Sequence, residues 1–185
     1  DSLAGGMAQQ LYQDASVEVN GFENAFLDNN GYDLVISNVP FNRDIHPIDA
    51  DFKAYNFNLH NYFFAKALQK VRPGGLIAFI TSEETMKNGG AKLREYISKR
   101  ADFICAVKLP DTTFKSYADT SVTSDLIILQ KRDENGNPSK YAQSWLETQY
   151  KYVDVGDGTR VYADMNEYFF NNRDMVIGTY AKGNW

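Results

Sequence analysis

Four short apolar runs, each framed by turn residues, constrain what this chain can fold into. They are Leu34-Val35-Ile36-Ser37, Leu76-Ile77-Ala78-Phe79-Ile80, Phe103 to Leu109, and Val122 to Gln130, centred on Leu126-Ile127-Ile128-Leu129. Such compact runs, without strict alternation, are the mark of strands buried on both faces. Helical patterns separate the first three. Asn58 to Val71 carries an apolar stripe at Leu59, Phe63, Ala67 and Leu68, and Arg72-Pro73-Gly74-Gly75 ends it. Ala91 to Arg100 is amphipathic through Leu93, Tyr96 and Ile97. Strands alternating with helices predict a layered α/β domain with a mostly parallel sheet. Only the short polar stretch 110–121 joins the last two runs, so the final strand is expected to be antiparallel.

The flanks are less regular. Ser2 to Gln13 predicts a helix with Leu3, Met7 and Leu11 on one face, and Val17 to Val19 a short strand. Asn42 to Asp51 is polar, carries Pro47 and reads as a loop. Asp133-Glu134-Asn135-Gly136-Asn137-Pro138 is a turn-rich boundary. Residues 1–132 are therefore expected to form the domain. Residues 133–185 are an appended, aromatic-rich polar segment without strand rhythm, packing on the domain or on a neighbour.

Composition narrows the function classes. Of the 185 residues, 43% are apolar, enough for a core, and the net charge of −5 argues against a self-sufficient DNA-coating protein. The charge is uneven: residues 1–56 balance to −7, residues 57–132 to +5 and residues 133–185 to −3. Only the middle block could face a polyanion, and helix surfaces carry such bases anyway. The single cysteine, Cys105, excludes an internal disulfide framework and a multi-cysteine zinc site, and two histidines leave little for a metal site. No run nears the roughly 18 apolar residues of a membrane span, and no signal peptide opens the chain. A cytoplasmic location is expected. The absence of an initiator Met at Asp1 suggests an excised piece.

The sharpest local feature is Asp33-Leu34-Val35-Ile36-Ser37-Asn38-Val39-Pro40-Phe41. A strand runs directly into an amide, a kink and an aromatic ring. In α/β sheets, ligands bind at the carboxyl ends of strands. Asn38 offers an amide oxygen, the Val39 carbonyl a second acceptor that Pro40 helps present, and Phe41 a flat face for stacking. Two acceptors and a stacking plane suit a pocket for an exocyclic amine. The competing reading is a plain strand-ending turn.

Asn38-Val39-Pro40-Phe41 resembles the Asn-Pro-Pro-Tyr/Phe motif of amino-group DNA methyltransferases, with Val in place of the first Pro. Other segments agree in order. Asn58 to Leu68 resembles the helix that follows the motif in adenine-N6 enzymes, and Val71 to Ser82 resembles their fifth strand. Leu109 to Lys115 with Thr123 to Lys131 resembles their closing hairpin, and Gly21-Phe22-Glu23 the end of their third strand. The nearest group is the large methylase–helicase proteins of bacterial mobile elements, with type I restriction-modification subunits more distant. Met165 to Thr179 is similar to a stretch that follows the methylase in that group.

The resemblance implies a Rossmann-like fold of the class I S-adenosylmethionine-dependent methyltransferases, and methylation of the N6 of an adenine flipped from DNA. Asn38 and the Val39 carbonyl would accept from the amine, Pro40 would hold that carbonyl, and Phe41 would stack on the base. Phe114 would be the second aromatic against it. Phe22 and Glu23 would flank the cofactor adenine, and the ribose-binding acid would fall at or just before Asp1. Plainer roles stand beside these: hairpin core for Phe114, a solvated acid for Glu23, phosphate or mere surface for Lys115, buried strand for Cys105. Likewise, His46 fits a loop and His60 a helix surface; Glu83-Glu84 fit either a substrate contact or helix-start acids, and Asp49 and Asp51 either a loop that closes over the site or a plain surface loop.

One departure is large. The family's glycine-rich loop after its first strand is absent, and so are its first two strands and a target-recognition domain. The fold is therefore expected to be incomplete, with the fragment inactive alone and most DNA contacts made elsewhere. Two other functions stay open: a methyltransferase for protein glutamine or RNA amino groups, and a degenerate, non-enzymatic docking module.

Overall fold

The four apolar runs become one sheet in the computed structural model, which describes residues 1–42, 44–119, 121–133, 144–155 and 158–180. The strands β1 (Tyr32–Asn38), β2 (Val71–Ser82), β3 (Ala101–Leu109) and β4 (Ser124–Lys131) lie in the order β1-β2-β4-β3. β1 pairs with β2 in parallel, and β4 runs antiparallel between β2 and β3. β1, β2 and β3 thus point one way and β4 alone opposes them. The link between β3 and β4 holds only the four-residue helix Lys115–Ala118, whereas a parallel return is usually made by a long crossover helix.

Of the helices α1 (Ser2–Leu11), α2 (Leu59–Lys70), α3 (Ala91–Ser98), α4 (Lys115–Ala118) and α5 (Glu167–Asn171), the second contributes most to the core, followed by the third and fifth. Asn58 caps α2, its side chain accepting from Asn61 N–H at 2.9 Å. Phe64, Ala67 and Leu68 of α2 and Leu93 and Ile97 of α3 share one buried cluster with Ile77, Phe79, Phe103, Ile127 and Leu129 of the sheet. The inner stripe of α2 runs through His60, Phe64, Ala67 and Leu68, while the expected Leu59 and Phe63 are only half-buried. Its other side is covered too: Phe52, Tyr62 and Ala65 form a second cluster, against which Phe22 packs.

The opposite face of the sheet differs from expectation. Leu34 and Ile36 are 51% and 75% exposed, and Leu76 and Ile104 are exposed as well. β1 is half-buried on one face and exposed on the other, because no described element packs over these residues. The apolar stripe of α1 is likewise exposed at Leu3, Met7 and Leu11. Val17 to Val19 is no strand. The segment lies along α1 instead: Gln9 Nε2 donates to the Val17 carbonyl, and Val19 sits so close to Gly5 that a Cβ there would clash with it. Cys105 is half-buried rather than buried, and that burial pushes its thiol pKa up.

The tail carries a strand rhythm after all. β5 (Thr148–Asp154) and β6 (Arg160–Asn166) form an antiparallel ribbon in which Tyr150, Tyr152 and Tyr162 face outward while Val153 and Met165 are buried. Trp145 stacks on Phe103 with centroids 4.8 Å apart, and Tyr168 meets the same ring edge-on. The expected turn at 133–138 lies, past residue 133, outside the described residues.

Arg94 ties these parts together. It is 0% exposed, and its guanidinium donates to the carbonyls of Thr85, Lys87 and Leu146. Removing it strands buried acceptors, whereas an exposed pair such as Lys99–Glu95 is worth little. Arg94→Ala is expected to lower unfolding free energy by about 3 kcal/mol, and Lys99→Ala by under about 0.5 kcal/mol. Urea denaturation of the two variants checks the contrast.

Candidate functional site

The register of the sheet puts four strand ends on one rim. Asn38 pairs with Ile80, Ile80 with Leu126, and Leu126 with Val107. The carboxyl ends of β1, β2 and β3 therefore lie together, beside the start of β4. Asn38 closes β1 and is exposed there. Val39 N–H donates to the Ile80 carbonyl at 3.0 Å, one residue beyond the strand, and the Val39 side chain is buried in the core. Pro40 and Phe41 are half-buried, and Phe41 packs against the core cluster.

Behind the motif the covered side of the rim turns polar. Phe41 meets the His60 ring with centroids 6.3 Å apart, tilted 62°. His60 is only 6% exposed, so its expected place on a helix surface is wrong: it lies on the sheet-facing stripe of α2. Its Nε2 is 2.7 Å from Thr85 Oγ1 and 2.9 Å from Thr81 Oγ1, and the two hydroxyls are 2.8 Å apart. The sequence signal for this was weak. A single His one position from an apolar stripe is not distinguishable from a surface residue until the helix is rotated into place.

The other expected site residues are spread wider. Phe22 lies in a 3-10 turn (Phe22–Asn24), half-buried against Phe63 and Tyr62 at 4.9 and 6.2 Å between centroids. Glu23 is half-buried, its carboxylate accepting from Asn24. Asp1 caps α1, its carboxylate accepting from the N–H groups of Leu3 and Ala4. Phe114, half-buried, sits just before α4 in the loop that joins β3 to β4 on the same rim, with β2 and β4 between β3 and β1.

Asp49 does not hover over the site. It accepts from Tyr62 Oη at 2.6 Å and from Lys66 Nζ at 2.7 Å, which fastens its loop to α2. Burial alone would raise the Asp49 pKa, but these hydrogen bonds and the Lys66 charge hold it below the ordinary value. Gln69 Nε2 donates to Asp51 at 2.6 Å, a second tie between this loop and α2.

The basic block is largely spent within the chain. Lys66, Arg72, Lys87, Lys99, Lys108 and Arg132 pair with carboxylates. Lys70, Arg94 and Lys131 hold carbonyls, and Arg100 lies over the Tyr96 ring. A cleft of about 680 Å³ opens at the far part of the rim, lined by Glu84, Lys87, Lys108, Asp111, Tyr150 and Tyr162 among others; the motif residues do not line it.

Asp125 is the most perturbed acid at the rim. It is fully buried, next to Thr81 across the ladder, and Lys108 Nζ donates to it at 2.9 Å. Desolvation outweighs the Lys108 charge and pushes its pKa from 3.8 up to about 6. Between these values the folded state holds a proton that the unfolded state has lost, so stability falls as pH rises from 3.8 to about 6 and levels off above. Asp125→Asn is expected to remove this part of the pH dependence. Chemical denaturation of both proteins across that window and above it measures the difference.

Comparison with known proteins agrees with this geometry. Residues 6–114, more than half the chain, match the family described as Eco57I restriction-modification methylase. Over 135 residues the chain is 32% identical to the defense against restriction protein B of Escherichia phage P1, covering 70% of this chain but 6% of that protein. A class I S-adenosylmethionine-dependent methyltransferase structure from Listeria monocytogenes superposes with a TM-score of 0.52 at 21% identity, over 75% of this chain and 52% of that one. The chain thus spans about half of that structure and a small part of the phage relative. The structural likeness shows the fold, the Rossmann-like α/β fold of class I methyltransferases, with the antiparallel strand at its end of the chain order. On the family match, the chain belongs to the Eco57I restriction-modification methylase family.

Proposed function

We propose that this chain is the amine-binding part of a longer adenine-N6 DNA methyltransferase. The observation that carries the reading is the placement of Asn38-Val39-Pro40-Phe41. It leaves an exposed amide at the carboxyl end of a strand, beside a backbone carbonyl and a half-buried ring. The family match supports the reaction class, and the phage relative's own name concerns restriction.

S-adenosylmethionine, when bound, supplies an electrophilic methyl group. The residues present fit one side of it. Phe22 is packed by Tyr62 and Phe63 yet only half-buried, so part of its ring remains at the surface for the cofactor adenine, with Glu23 beside it. Asp1 already caps α1, which makes it a poorer partner for the ribose. Among the described residues no glycine-rich strand–turn–helix unit is present for the methionine side.

On the substrate side, the Asn38 amide oxygen and the Val39 carbonyl accept the two N–H bonds of the exocyclic amine. This draws the nitrogen lone pair away from the ring and aims it. Phe41 stacks on the base taken out of the duplex, and Phe114 closes on it from the β3 loop. Positioning and polarisation carry the catalysis, with no tuned general base at the motif. Because the basic block is engaged internally, the grip on phosphates belongs to other parts of the polypeptide.

In the full-length protein, Asn38→Ala is expected to lower methyl transfer to DNA at least about a hundredfold, the scale of losing a preorganised polar contact. Cofactor affinity should stay close to wild type. Tritium-methyl incorporation and titration calorimetry read the two quantities, and normal transfer in this variant sinks the assignment.

A further inference from the structure

The Phe41 ring rests on a side chain that the proposed reaction does not use. His60 meets it from α2, at 6.3 Å between centroids, and also contacts Phe64 at 5.9 Å. His60 cannot drift along this apolar surface. Its Nε2 lies within hydrogen-bond distance of both Thr81 and Thr85, and those hydroxyls contact each other, closing a buried triangle with sides of 2.7, 2.8 and 2.9 Å. Thr81 is 0% exposed and Thr85 2% exposed, so water does not compete for these bonds.

The triangle has a definite place in the fold. Thr81 follows Ile80, whose carbonyl receives the Val39 N–H. Two consecutive residues of β2 therefore hold the motif at two points. Ile80 fixes its backbone directly, and Thr81 fixes its aromatic ring through His60. Thr85 adds a third anchor from the turn after β2 (Glu83–Thr85). Nε2 carries one proton or one lone pair and shares it between the two hydroxyls, and such a shared buried contact orients the ring more sharply than apolar packing does.

We propose that His60, locked by Thr81 and Thr85, is a positioning residue that sets the Phe41 ring for the target base. The proposal rests on the methylase reading above. His60 touches neither base nor cofactor in this role. It acts through Phe41, so its loss moves base capture more than the chemical step.

The test uses the full-length protein with adenine-containing DNA for the kinetics, and a parallel duplex carrying 2-aminopurine, which lacks the 6-amino group, at the target position as a binding probe. His60→Leu is expected to raise KM for DNA about tenfold, and the near-isosteric Thr81→Val by about threefold because Thr85 still holds Nε2, while kcat stays within about twofold in each. The fluorescence gained when 2-aminopurine leaves the duplex stack should shrink in both. Cofactor affinity should not change. His60→Gln, which keeps a polar nitrogen, and Thr81→Ser, which keeps the hydroxyl, should recover most of the loss. The double variant His60→Leu/Thr81→Val should be no worse than His60→Leu alone, because Thr81 acts only through His60. Wild-type KM and fluorescence in His60→Leu and Thr81→Val overturn the proposal, as do strictly additive effects in the double variant. Asn38→Ala, run alongside, separates the two levels. If it is inactive while the His60 and Thr81 variants are normal, only the positioning role fails. If it is fully active, the methylase reading fails and takes the positioning role with it.

Discussion

Strand β2 is hydrogen-bonded along both edges, to β1 in parallel and to β4 antiparallel, and the other parts of the molecule take their places from it. A strand paired on both sides has its backbone groups satisfied and its register fixed, since a slip by one residue would turn every side chain to the wrong face. From β2 the rest follows in order. Its left neighbour delivers Asn38 to the rim. Its right neighbour brings back β3 and the loop that carries Phe114. Its end runs into the turn that holds Thr85, and the Arg94 guanidinium fastens that turn to α3 and to the tail at Leu146.

The covered face of the sheet changes character along its length. Toward the far end Ile77, Phe79, Phe103, Ile127 and Leu129 pack against α2, α3 and Trp145, and each such side chain contributes about 1.5–3 kcal/mol on burial. At the rim the same face holds Thr81, Asp125 and Lys108 with His60, Thr85 and Glu83 close by. Burying these groups costs stability, and the cost is visible in Asp125, whose carboxyl is driven toward its neutral form. An apolar rim would be more stable. A polar one holds side chains in specific orientations, which is what a site depending on positioning needs.

The apolar runs made the sheet legible, including the antiparallel last strand, because chain length between strands limits direction. They could not show that Leu34 and Ile36 lie open on one face, since a buried and a half-exposed strand of β-branched residues read alike. The rhythm of the tail was hidden for another reason: outward Tyr150, Tyr152 and Tyr162 are as apolar as inward Val153, so the alternation carries little contrast. The motif itself was visible in sequence, yet its support was not. His60, Thr81 and Thr85 are separated by up to 25 positions, and only the docking of α2 on β2 brings them together. Local pattern reveals elements; contacts between elements depend on rotation and register, which local pattern does not encode.

The valine in Asn38-Val39-Pro40-Phe41 shows how such support can replace covalent restraint. A proline there, as in the pattern it resembles, would fix φ near −65° but could give no N–H. Val39 has an N–H and donates it to Ile80, and its side chain is buried at 2% exposure. Three preferences then agree on extended backbone at this residue: the β-branched side chain, the proline that follows, and the bond to β2. The ring restraint is local and independent of the rest of the fold. The hydrogen bond and the burial are not, because both exist only while β1 and β2 hold their register. The orientation of the Val39 carbonyl, one of the two proposed acceptors, thus depends on the integrity of the sheet, and the valine couples the site to the fold more tightly than a proline would.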